Sequence, residues 1–220
     1  MADFRPQPLA PDVEITLGLL NAVHENSALT QRTAAREMGV ALGLVNAYLK
    51  RCVIKGLIKV RAVPANRYTY YLTPKGFAEK SRLTAEFLGQ SFSLFRQARA
   101  QYGAIFNRCE AQGWRRIALL GLSDLAEIAI LCARDSAIEL VGAIDETDPR
   151  PFFLGLPVAA NPEALAELDA LVITALNDAD RTYERAIGWL SPDRVLAPRL
   201  LGIGQPRERP RKKREDGSDV

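Results

Sequence analysis

The sequence predicts an α+β winged helix-turn-helix, then a long linking helix, then a small α/β Rossmann-like domain with a parallel sheet. Three observations carry this. The apolar spacing is helical with one β-rich pair up to residue 73, continuously helical over 74–113, and alternates between strand and helix from 114 to about 200. Charge divides along the same lines: residues 1–113 hold 15 basic and 8 acidic side chains (+7), whereas residues 114–206 hold 8 and 14 (−6). A chain of 220 residues with 48% hydrophobic content is long enough for two small cores.

Each element follows from its residues. In DVEITLGLLNAVHE, Val13, Leu17, Leu20 and Val23 recur at helical spacing and predict a first helix. Thr30 stands before QRTAAREMG as an N-cap and Gly39 closes that second, short helix. The third, ALGLVNAYLKRCVIKG, places Leu42, Val45, Leu49, Val53 and Ile54 on one face and Asn46, Lys50 and Arg51 on the other, ending at Gly56. LIKVRAV and RYTYYLT, separated by Pro64, Ala65 and Asn66, read as a hairpin. Helix, helix, helix, hairpin is the order of a winged helix-turn-helix over 1–73.

Thr73 and Pro74 open a long helix to Gly113, expected to link and to dimerise. Its second half repeats Leu88, Ser91, Phe95, Ala98, Tyr102, Ile105 and Cys109 every 3.5 residues, with Phe92 and Phe106 alongside, a seam that calls for a partner chain. Beyond it RRIALLGL, AIELVGAIDE, DALVITAL and RVLAP read as strands, and SDLAEIAILCARD, PEALAEL and DADRTYERAIGWL as helices, over 114–200. The remainder, 201–220, carries RPRKKR and almost no apolar residue, and is expected to be a disordered basic tail.

Several classes are excluded early. No apolar run approaches the ~20 residues of a membrane span, and MADFRPQP lacks the apolar stretch of a signal peptide, so a cytoplasmic protein without a membrane partner is expected. Cys52, Cys109 and Cys132 are scattered without a CxxC or Cys/His cluster, which leaves no metal site and predicts reduced thiols.

Between Ala28 and Arg82 there are 11 basic residues against Glu37 and Glu79, a local +9 that attracts the phosphates of double-stranded DNA. The third helix is the expected groove reader, offering Leu44, Asn46, Ala47, Lys50 and Arg51. Asn46 suits adenine, and Lys50 and Arg51 suit guanine edges or phosphates. Thr30, Gln31 and Arg32 are placed for backbone contact, Arg61 and Arg67 for the wing. The plainer alternative is a solvated charged face on a protein-binding winged helix.

The run SALTQRTAAREMGVALGLVNAYLKRCVIKGLIKVRAV, continuing to YYLTPKGFAEKSRLTAEFL, resembles MarR-type winged-helix regulators associated with exopolysaccharide gene clusters, over about residues 13–90. The resemblance implies a homodimeric bacterial transcription regulator on a two-fold operator. Leu44 stands where those relatives tend to carry Lys.

In the third block the first strand leads into Gly121, Leu122, Ser123, Asp124, Leu125 and Ala126, the position of a G-x-G-x-x-G/A fingerprint in which Ser123 replaces the second glycine. Asp145 ends the next strand 24 residues after Gly121, near where an acid bonds a ribose hydroxyl. The ordinary reading of Asp124 and Asp145 is an N-cap and a strand-end turn. LLGLSDLAEIAIL, ELVGAIDE and FFLGLPV resemble the N-terminal nucleotide-binding domain of sugar acetyltransferases over about 115–176, which implies a nucleotide or nucleotide-sugar ligand near Gly121, Ser123, Asp124, Asp145 and Thr174. The layout also resembles redox-sensing repressors that bind NAD(H). The rival class is a nucleotide-dependent enzyme; His24 lies in the first helix, G-x-S-x-G and Walker patterns do not occur, and the third block holds no Tyr-x-x-x-Lys pair.

Overall fold

A computed structural model describes residues 11–63, 67–165 and 167–204, the side chains of Pro11, Val63 and Arg67 excepted. The chain divides into two compact units, up to Leu94 and from Phe95 onward.

In the first unit α1 (Pro11–Glu25), α2 (Gln31–Glu37) and α3 (Leu42–Ile54) precede the hairpin β1 (Ile58–Val63) and β2 (Arg67–Leu72). Thr30 caps α2 by accepting from the Thr33 amide at 3.1 Å. The hairpin is antiparallel with Ile58 opposite Leu72 and Val63 opposite Arg67. Leu19, Leu20, Val23, Val45, Leu49, Leu57 and Tyr70 fill the core.

The buried stripe of α3 departs from expectation. It runs through Val45, Tyr48, Leu49 and Cys52, whereas Leu42 is 41% and Ile54 85% exposed. Tyr48 and Cys52 complete the spacing centred on Val45 and Leu49, and the helix is turned accordingly.

Helix α4 (Pro74–Ala111) has 38 residues and contributes to both units. Thr73 caps it, its hydroxyl accepting from the Gly76 amide at 3.0 Å and donating to the Gly56 carbonyl at 2.6 Å. Gly76 lies against the backbone just before β1: a Cβ there would meet the Leu57 carbonyl oxygen at 2.1 Å. Leu83 belongs to the first core.

The expected partner-chain seam divides in two. Ala98, Tyr102 and Cys109, with Phe106, are fully buried in the core of the second unit, so that half finds its partner within the chain. Leu88 and Phe95, with Phe87, Phe92 and Leu94, remain exposed.

The second unit adds β3 (Arg116–Leu120), α5 (Asp124–Ala133), β4 (Glu139–Ile144), β5 (Phe152–Phe153), β6 (Leu156–Ala159), β7 (Ala170–Ile173), α6 (Ala179–Ala186) and β8 (Val195–Leu196). The sheet order is β5-β6-β4-β3-β7-β8, parallel throughout except for the β5–β6 hairpin. The chain starts at the central β3, moves out through β4 to β6, then returns to β7 and β8 on the other side. One face packs against α5 and the second half of α4, and the other against α6, Leu165, Leu168 and Trp189.

Two expectations change here. Within PEALAEL, Pro162–Ala164 form a 3₁₀ turn capped by Asn161. Leu165 instead turns inward over Gly142, where a Cβ would lie 2.6 Å from a Leu165 methyl. The β5–β6 hairpin, within FFLGLPV, turns on Leu154 and Gly155 at positive φ. At the far end, Leu201 and Ile203 pack against the core, so 201–204 belong with the α/β unit, while the basic run of the expected tail lies outside the described residues.

Candidate nucleic-acid interface and strand-end cluster

Helix α3 follows α2 across Met38–Ala41, the short turn of a helix-turn-helix. Opposite its buried stripe, Gly43, Ala47, Lys50 and Ile54 form an exposed line, with Leu44 and Arg51 along one side and Asn46 along the other. Lys50 is exposed; Arg51 lies 5.0 Å over the Tyr48 ring and 3.8 Å from the Asp12 carboxylate, itself the acceptor of the Tyr48 hydroxyl. The Asn46 carboxamide oxygen is buried without a hydrogen-bond partner. A bidentate adenine contact needs that oxygen at the surface beside the nitrogen, so Asn46 does not offer one in this conformation.

Around this line Arg32 and Arg61 are exposed. The Thr30 hydroxyl is engaged with Thr33, and the Gln31 amide nitrogen reaches the Tyr70 hydroxyl at 3.4 Å, binding α2 to the hairpin. The Arg67 side chain lies outside the described residues, although its backbone pairs in β2. His24 contacts Lys80 at 2.7 Å and stands edge-on to Phe77, a packing role at the α1–α4 junction.

The ends of β3, β4 and β7 gather the other predicted residues. Ser123 caps α5: its hydroxyl accepts from the Leu125 amide at 3.1 Å and donates to the Thr174 carbonyl at 2.5 Å. The fully buried Thr174 hydroxyl donates to the Gly121 carbonyl at 2.5 Å and faces the Leu120 carbonyl at 3.2 Å. Asp145 accepts from the Leu122 amide at 3.2 Å and from Thr147 through both its amide and hydroxyl. Burial pushes the Asp145 carboxyl upward, but these donors outweigh it and hold it below the usual carboxylate range. Gly121, at φ +99°, passes so close to Ala175 that a Cβ would sit 2.5 Å from the alanine Cβ. Asp124, the first residue of α5, is exposed.

These four side chains and Gly121 therefore form two groups. Gly121, Ser123, Thr174 and Asp145 bond or pack onto the loop after β3 and interlock three strand ends. Asp124 alone among the five projects to solvent. The cradle does not fit a dinucleotide pyrophosphate: Ser123 fills the second glycine position, and the Leu122 amide is already held by Asp145.

The thiols are buried: desolvation raises Cys52 and Cys132 above their ordinary range and Cys109 to about 11, the protonated, unreactive state. No helix among the described residues is long and apolar enough to cross a membrane.

A family profile described as winged helix-turn-helix, DNA-binding, matches residues 13–59, which cover α1, α2, α3 and the start of β1. Among solved structures, the PcaV transcriptional regulator from Streptomyces coelicolor with its natural ligand is 22% identical, covering 37% of this chain and 59% of that one, TM-score 0.35. The Staphylococcus aureus MepR–DNA complex is 26% identical over 40% of this chain and 64% of that one, TM-score 0.34. A MarR-family protein of Mycobacterium tuberculosis in complex with p-aminosalicylic acid is 18% identical over 38% and 72%, TM-score 0.34. The chain thus spans about three fifths of the length of the first of these. No curated protein matches the chain.

Proposed function

We propose that the chain is a MarR-type transcription regulator that binds double-stranded DNA through its winged helix-turn-helix. The carrying observation is the exposed line of α3 that includes Lys50, bordered by Arg51, within the segment that matches a DNA-binding profile, with Arg32 and Arg61 exposed on neighbouring elements. Cations so placed release counterions from phosphates, and the helix between them enters the major groove. Exchanging Lys50 and Arg51 for alanine is expected to weaken duplex binding by about tenfold or more and to flatten its salt dependence. Unchanged binding by both variants would assign the reading to another surface.

A homodimer accompanies this reading, supported by the exposed Phe87, Leu88, Phe92, Leu94 and Phe95 on α4. Light scattering on the intact chain tests it: a monomer at micromolar concentration removes the two-fold operator.

For the C-terminal unit the strand order supports a Rossmann-like fold whose reversal point lies between β3 and β7, where such sheets take ligands. A nucleotide or nucleotide-sugar at that point, with Asp124 as the outward contact, makes the unit a sensor, in a link with exopolysaccharide genes. The filled glycine position disfavours NAD(H), and it equally keeps the phosphates of a nucleotide-sugar out of the loop after β3, so any such ligand is held outside that loop, beside Asp124. Calorimetric titration with a nucleoside diphosphate, a nucleotide-sugar and NADH tests this, and absence of heat with all three would leave the unit as a scaffold.

A further inference from the structure

The outward face of α3 is unusual for a reader of base edges because its first two turns are apolar. Ala41, Leu42, Gly43, Leu44 and Ala47 are all exposed, Leu44 at 38%. The polar residue among them, Asn46, has its carboxamide oxygen buried. Lys50 stands a turn further on, and Arg51 is drawn toward Tyr48 and Asp12. The leading half of this helix therefore carries no side chain that completes a paired hydrogen-bond pattern with a base.

Of the four bases, only thymine presents an apolar group in the major groove, its C5 methyl; the others present donors and acceptors. An aliphatic side chain pressed against those strands them without partners, a cost that thymine's methyl avoids. Gly43 adds a geometric element. It is exposed, and a Cβ built there meets nothing within 4 Å, so the space beside it belongs to whatever docks on the helix. With no side chain at Gly43, the helix backbone can approach closely enough for the short Ala47 to reach a base edge.

We propose that Leu44 and Ala47 select thymine in the half-site through contact with its C5 methyl, and that Lys50, Arg51 and Arg61 hold phosphates rather than read sequence. This rests on the DNA-binding reading above.

The test uses the full chain. Duplexes are selected from a random pool, and the enriched sequence is resynthesised with uracil replacing thymine one position at a time, which removes only the methyl. Loss of about fourfold in affinity is expected at one or two thymines, the worth of one buried methyl, with no loss at thymines outside the half-site. In Leu44→Ala, which keeps a good helix former at an exposed site, the penalty at one of those thymines is expected to shrink below about twofold. Equal binding of every uracil duplex overturns thymine selection and leaves DNA binding standing. A penalty that persists unchanged in both Leu44→Ala and Ala47→Gly overturns the assignment to these residues. Failure to enrich any duplex over the pool overturns the DNA-binding reading itself.

Discussion

The two units use their polar side chains in opposite ways. In the winged-helix unit the cations proposed to meet DNA, Lys50, Arg32 and Arg61, are exposed to solvent. In the α/β unit the polar residues that resemble a site, Ser123, Thr174 and Asp145, turn onto the loop after β3 and fasten strand ends. The same residue types that mark a ligand pocket in a pattern thus serve as internal ties here. The contrast teaches that a fingerprint position is informative only once the bonds of its side chain are known.

The largest effect that sharpens this contrast concerns the core shared by α4 and the sheet. Phe106→Ala is expected to destabilise the α/β unit by about 3–5 kcal/mol, since the ring is fully buried. Chemical denaturation of the full chain then separates into two transitions, with the winged-helix unit little changed. Next, Thr174→Val removes a buried hydroxyl with two carbonyls in reach and is expected to cost about 1–3 kcal/mol in that same transition. A Thr174→Val chain of unaltered stability would break the contrast and return Thr174 to the class of ligand contacts.

Acid sensitivity gives a smaller difference. The Asp145 carboxyl is held below its ordinary value when folded, so its contribution is present above the unfolded-state value and disappears as pH falls through the folded one. Asp169 behaves likewise because the backbone amides of Arg116 and Arg115 donate to it at 2.8 and 2.7 Å. Melting temperature of the α/β transition is expected to fall on acidification below about pH 4, and Asp145→Asn to flatten that limb. Smallest is Gly89→Ala on α4, where an added Cβ meets nothing within 4 Å: a gain of about 0.5–1 kcal/mol is expected from helix propensity, in contrast to a loss at Gly76.

Much of the fold was legible because its signals are local. Thr30 and Thr73 cap their helices through bonds to the residues that follow, as expected, and the central strands are continuous apolar runs; the cap of α5 is Ser123 rather than the expected Asp124, which is the first residue of the helix. What escaped depends on distant partners. The turn of α3 that exposes Ile54 is set by Tyr48 and Cys52 entering a core built from five other elements, α1, α2, β1, β2 and α4. The 3₁₀ turn at Pro162–Ala164, where a helix was expected, leads into Leu165 packed over Gly142, and the β5–β6 hairpin has strands too short to show an alternation. The seam of α4 was visible as a period, but nothing in a period says whether the covering surface comes from another chain or from Ile117, Leu119 and Val172 of the same one. For the interface, the exposure of Lys50 followed from its helix face, while the buried oxygen of Asn46 did not. A carboxamide on a helix flank turns inward or outward according to neighbours that spacing leaves undefined.

Helix α4 settles where this protein can be divided. A cut in the loop at Gly113, the natural place to part a linker from a domain, separates the sheet from Ala98, Tyr102, Phe106 and Cys109 and from the bond between the Tyr102 hydroxyl and the Ile173 carbonyl. A fragment beginning there lacks a wall of its own core. A viable gene fusion or fragment boundary falls instead inside the helix, after Leu83 has completed the first core and before Phe95, where Phe87, Leu88 and Phe92 are exposed and belong to neither core.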